Sequence, residues 1–75
     1  MVDWEILDSA GKYLGRSDTN SAATAFCRCM QILGKQIAES DVEHTRLEDG
    51  LYKITYSGQN YFANNAERPR PQPGS

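Results

Sequence analysis

The sequence predicts an α+β fold: an antiparallel four- or five-stranded sheet with one helix packed on one face, in the order ββαββ(β). Three observations lead there. Runs of alternating apolar and polar residues flank a loop ending at Gly11, and two further runs flank Asp49-Gly50, each a hairpin signal. Between the two hairpins lies one stretch whose apolar residues recur at helical spacing. A chain of 75 residues, 39% hydrophobic, with four Tyr, two Phe and one Trp, can build one small core, and a helix laid on a sheet is the economical way to bury it.

In chain order, Val2, Trp4 and Ile6 alternate with Asp3 and Glu5, the pattern breaks at Ser9-Ala10-Gly11-Lys12, and it resumes at Tyr13-Leu14-Gly15-Arg16. Gly11 stands third in the loop, which suits a type I turn closed by a left-handed glycine. Trp4 and Ile6 then share one face, and Leu7 lies on the other.

Asp18, Thr19, Asn20 and Ser21 offer side-chain oxygens to cap free backbone N–H groups, and a helix is predicted over residues 20–38. At 100° per residue, Ala22, Phe26, Met30, Leu33 and Ile37 form one stripe, widened by Ala25, Cys29 and Ile32 on one side and by Ala23 and Cys27 on the other. Gly34 interrupts this stretch. A glycine inside a helix costs about 1 kcal/mol relative to Ala, so Gly34 marks a weak last turn or a close approach of backbones.

A two-residue turn at Asp49-Gly50 pairs Glu48 with Leu51, Leu47 with Tyr52, Arg46 with Lys53, Thr45 with Ile54 and His44 with Thr55. Paired residues point to one face, so Leu47, Tyr52, Ile54 and Tyr56 are expected against the helix, with His44, Arg46, Lys53 and Thr55 facing away. Ser57-Gly58-Gln59-Asn60 is a second turn, and Tyr61-Phe62-Ala63 a short fifth strand that puts Phe62 on the open face. The expected core is Trp4, Ile6, Phe26, Met30, Leu33, Ile54 and Tyr56. The domain is placed at residues 1–64. Residues 65–75, with prolines at 69, 71 and 73, read as an extended, disordered Pro-rich tail.

Charge and composition narrow the function. In residues 1–63 the basic Lys12, Arg16, Arg28, Lys35, Arg46 and Lys53 are outnumbered by nine Asp and Glu, so non-specific attraction to nucleic acid needs a local patch rather than the whole molecule. No apolar run approaches the roughly 20 residues of a membrane span, and the N-terminal residues lack the basic start and apolar stretch of a signal peptide. A cytoplasmic, reducing location with no membrane partner is expected.

Cys27 and Cys29 form a C-x-C pair, which on a helix lies about 200° apart, too divergent for a shared metal or an internal disulfide. His44 is the single histidine, and it has neither a partner ligand at metal spacing nor a nucleophile and orienting acid at hand. The glycines match no phosphate-binding motif and read as turn residues. No catalytic residue, metal site or cofactor is therefore assigned, and the protein is expected not to be an enzyme.

Two surfaces remain. The open sheet face is expected to carry Leu7, Tyr13 and Phe62 beside His44, Arg46 and Lys53, a mixture of aromatic, aliphatic and cationic groups found at binding faces. The helix flank of Ala25, Cys29 and Ile32 makes the apolar arc wider than one sheet face covers and offers a homodimer surface.

With its hairpin, single helix and meander, its Asp49-Gly50-Leu51-Tyr52 turn and its aromatic last strand, the chain resembles small accessory proteins of bacteriophages and prophages, including some anti-CRISPR proteins that act on multi-subunit interference complexes. The resemblance spans residues 2–63 through the order of elements and transfers no individual site residue. It implies occlusion of a nucleic-acid or protein site rather than catalysis. The sequence reading is thus a non-catalytic module that binds a protein partner through the open sheet face. A nucleic-acid binder using a local basic and aromatic patch and a homodimeric structural domain are the alternatives.

Overall fold

The computed structural model describes residues 2–69, and its first reversal is set by Gly11, which takes φ 85°. The Asp8 carbonyl accepts from the Gly11 N–H at 2.9 Å. The Asp8 carboxylate accepts from the N–H groups of Ala10 and Lys12, each at 2.9 Å. One side chain thus satisfies the donors of the loop, as Asp does in turns. The flanking strands are β1 (Val2–Asp8) and β2 (Tyr13–Thr19). Ile6 pairs with Gly15 and Leu7 with Tyr13, leaving Leu14 as the extra residue of a bulge.

The helix, α1 (Ala22–Ile32), is shorter than predicted at both ends. Ser21 occupies the N-cap position without a side-chain cap, and the Thr19 hydroxyl donates to the Ser21 carbonyl at 2.6 Å. At the C-terminus Gly34 takes φ 91°. Its N–H donates to the Gln31 carbonyl at 3.0 Å, and the Lys35 N–H donates to that of Met30 at 2.8 Å. This pair of bonds is the Schellman stop, which satisfies the last carbonyls and ends the helix. Leu33, expected in the core, is consequently exposed, and Ile32 is 81% exposed. A 3₁₀ turn at Glu39–Asp41 follows, tied back to the helix by the Thr24 hydroxyl, which donates to the Glu39 carboxylate.

The last three strands are β3 (Glu43–Glu48), β4 (Leu51–Tyr56) and β5 (Gln59–Asn65). Between β4 and β5, Ser57 and Gly58 both have positive φ, 51° and 76°, and Tyr56 pairs directly with Gln59. Such a turn matches the twist of the strands. Between β3 and β4 only Gly50 is positive, at 84°, and a turn with one positive φ tends to splay its strands. Glu48 pairs with Leu51 as predicted, then Leu47 bulges out of the ladder. Beyond the bulge the partners shift by one: Arg46 lies opposite Tyr52, Thr45 opposite Lys53 and His44 opposite Ile54. Leu47 is exposed rather than packed under the helix.

The five strands form one antiparallel sheet in the order β2-β1-β5-β4-β3, with α1 across one face. The core between them contains Trp4, Ile6, Phe26, Met30, Ile54 and Ala63. Phe26 packs against Tyr61 and Tyr56, with ring centres 4.8 and 6.2 Å away, and Trp4 meets the edge of Tyr52 at 5.5 Å. Ala25 and Cys29 are buried, so they line the core rather than an uncovered flank. The reason lies at Gly15, where a Cβ would sit 2.6 Å from Cys29 Sγ: the missing side chain lets the helix settle on β2.

Packing continues past the predicted domain boundary at residue 64. The Ala66 N–H donates to the Asp3 carbonyl at 2.8 Å, Glu67 N–H to Asn65 Oδ1 at 2.9 Å and Arg68 N–H to the Asn65 carbonyl at 3.0 Å. The remainder of the predicted tail, residues 70–75, lies outside the described residues. Among those described, no helix is long and apolar enough to cross a membrane.

Candidate interaction face

Strand pairing builds the sheet face opposite α1 from two cross-strand rows. One runs Tyr13, Leu7, Phe62, Lys53 and Thr45. The next runs Arg16, Glu5, Asn64, Leu51 and Glu48. Tyr13 is 42% exposed, Phe62 and Lys53 are half-buried, and Leu7 and Leu51 are buried. This face therefore has an aliphatic floor and an aromatic and cationic rim. Four of the six predicted face residues, Leu7, Tyr13, Lys53 and Phe62, stand together in its first row.

The other two do not. The bulge at Leu47 turns His44 and Arg46 to the helix side of the sheet, where the His44 ring lies 6.0 Å from that of Tyr52. Lys53 and Arg46 now point to opposite faces, so the basic cluster expected on one face is not formed. Of the predicted dimer flank, Ala25 and Cys29 are buried and Ile32 alone is exposed.

Several residues of this face were not singled out by sequence reasoning. Glu5 and Arg16 follow from the strand alternation that places Leu7, so their signal was present. Asn64 and Arg68 had none. The Asn64 side chain is fully buried, and its Nδ2 donates to the Arg68 carbonyl at 3.3 Å. Arg68 Nη2 in turn donates to Glu48 Oε2 at 2.7 Å. Arg16 is paired with the Asp3 carboxylate. The hydrogen bond and charge of Asp3 raise the guanidinium above its ordinary pKa, with smaller contributions from Tyr13 and Glu5.

Elsewhere the chemistry is quiet. Burial pushes the Cys29 thiol above its ordinary pKa. Burial does the same to Cys27, with the charge of Glu39 adding to it. Both therefore stay protonated and poorly nucleophilic. A groove of 460 Å³ beside the end of α1 is lined by Cys27, Gln31, Gln36, Ile37 and Ala38, two carboxamides and a protonated thiol among them. No group of three metal-ligating side chains occurs among the described residues. No family model matches the chain, and no curated protein or solved structure is significantly similar to it.

Proposed function

We propose that the protein is a non-catalytic interaction module, resident in the cytoplasm, that binds a protein partner through the sheet face opposite α1 and occludes a site on it. The observation that carries this reading is the row of exposed Tyr13, half-buried Phe62 and half-buried Lys53 laid over buried Leu7. Tyr and Phe supply large contact area at low cost in side-chain entropy, and such rings set in a polar surround are typical interface anchors. Occlusion is also the mechanism that the resemblance to phage accessory proteins implies.

Electrostatics favours a protein over a nucleic acid. Arg16 and Arg68, the other cations of this face among the described residues, are engaged by Asp3 and Glu48. Asp3, Glu5 and Asp18 share it, since Asp18 pairs with Asp3 and Glu5 stands two residues along β1. Few cations are left for the phosphate contacts that dominate nucleic-acid affinity.

Affinity capture with the immobilised protein, alongside Tyr13→Ala and Lys53→Ala variants, tests the reading. Both substitutions should abolish or sharply reduce recovery of the captured protein while leaving the melting temperature nearly unchanged, because neither side chain is buried in the core. Undiminished capture by both variants would discard this face. Amide shifts at Lys53 and Phe62 on adding a short oligonucleotide, weakening steeply with salt, would favour the nucleic-acid alternative instead.

A further inference from the structure

β2 is an outer strand of the sheet, and among the described residues no strand lies on its far side. An edge of this kind presents a row of unpaired N–H and C=O groups, a template for one more strand. The bulge at Leu14 leaves residues 15–19 as an unbroken stretch. Strand alternation puts Gly15, Ser17 and Thr19 on the helix side, and Arg16 and Asp18 on the face opposite α1. The acidic side is left out of balance. Asp3 and Asp18 stand opposite each other across β1 and β2, a like-charge pair that costs stability. Arg16 answers Asp3, whereas the exposed Asp18 has no ion pair among the described residues.

We propose that the occupant of this edge is β2 of a second copy of the chain, paired antiparallel about a two-fold axis at Ser17. Paired residues share a face, so in one continuous sheet the axis runs through a residue and its own copy. An axis at Arg16 or at Asp18 sets like charges against each other. One at Gly15 runs the pairing into the bulge, and one at Thr19 leaves most of the stretch unpaired. At Ser17, Arg16 falls opposite Asp18 of the second copy and Asp18 opposite its Arg16, two complementary pairs on one face, with Gly15 opposite Thr19 on the other. Each copy thereby supplies the counter-charge that Asp18 lacks.

The helix agrees with this occupant. Cys29 stands over Gly15, and at 100° per residue Phe26 lies about 60° to one side of it and Ile32 about 60° to the other. Phe26 is in the core, so Ile32 belongs to the flank that overlooks the open edge, where it is the most exposed large apolar side chain among the described residues. The two-fold axis puts both α1 helices on one side of the joined sheet and turns their Ile32 flanks toward each other. Ala25 and Cys29, buried in the core, take no part. The other side of the sheet then presents the candidate interaction face twice; the pairing itself does not rest on the function proposed for that face.

The test uses the full-length chain. Its sedimenting mass should rise with concentration to that of two chains, with amide shifts that track concentration at residues 15–19 and at Ile32. Asp18→Arg and Arg16→Asp each set like charges against each other at this register, and each should weaken the dimer about tenfold or more. Mixed in equal amounts, the two variants are complementary and should associate as tightly as the parent chain. The double variant Arg16→Asp/Asp18→Arg should do the same by itself. Arg16→Asp also removes the partner of Asp3; if circular dichroism shows that it perturbs folding, Asp18→Arg compared with the double variant carries the test. A one-chain mass up to about 1 mM would overturn the proposal. So would dimerisation that Asp18→Arg leaves unchanged, or concentration-dependent shifts confined to strands other than β2. Capture of a protein partner by a chain that stays monomeric would keep the proposed function and remove this inference, and a dimer that captures nothing would do the reverse.

Discussion

At Gly15 a missing side chain does what the apolar stripe of α1 cannot do alone: it brings helix and sheet to contact distance. Its φ is not positive, so Ala would fit the backbone and, by restricting the unfolded chain, add about 0.4–1 kcal/mol. The Cβ would however meet Cys29 Sγ at 2.6 Å, and overpacking of this kind costs about 1–3 kcal/mol. Gly15→Ala should therefore destabilise the protein, and should do so much less in a Cys29→Ala background, as read by urea denaturation of the four chains of the cycle. An equal loss in both backgrounds would mean that another contact is responsible. Sequence reading took Gly15 for a turn residue because spacing alone cannot reveal which helix will cross a strand. It placed Trp4, Ile6, Phe26, Met30 and Ile54 correctly in the core because those positions follow from periodicity, which is local.

At the scale of elements, two glycines with positive φ set limits that the hydrophobic pattern does not contain. Gly34 ends α1 at Ile32, and the stripe that runs on through Leu33 and Ile37 is left outside the helix. A Cβ at Gly34 would touch nothing within 4 Å, so the cost of Gly34→Ala is conformational, about 1–2 kcal/mol for holding an L-residue in the left-handed region. Gly34→Asn should lose less than Gly34→Ala, since Asn tolerates that conformation better, a ranking that thermal denaturation of the two variants decides. Gly50 acts on the register. With one positive φ in its turn, the β3–β4 hairpin takes up Leu47 as a bulge, and a one-residue slip exchanges faces for every residue beyond it. That slip is why the candidate site was legible only in part. Leu7, Phe62 and Lys53 lie on strand stretches whose alternation is unbroken, and Tyr13 joins them because the bulge at Leu14 turns it to the face of its partner Leu7, whereas His44 and Arg46 lie beyond the bulge at Leu47.

Across the whole molecule, the order of elements could be read from the sequence, but the order of strands in the sheet could not. Hairpin signals pair neighbours; nothing local says that β1 and β5, at opposite ends of the described chain, form the centre. That pairing, from Trp4 with Asn65 to Asp8 with Tyr61, joins the two hairpin units into one sheet beneath α1. A chain that stops after Ser57 loses β5 and with it both neighbouring ladders, leaving two separate hairpins, which are marginal in water. Its circular dichroism should show no cooperative thermal transition, while the full chain shows one.

The same central pairing has a consequence for synthesis. β1 is made before β5, and its inner edge has no strand to bond to until β5 follows. At about 5–20 residues per second, the interval between completing Thr19 and Asn65 is roughly 2 to 9 s. Throughout it the nascent chain carries an open strand edge next to Trp4, Ile6 and Leu7, a template for pairing with other chains. The sheet cannot close until β5 has been made, and until then that edge is the part of the unit most exposed to mispairing.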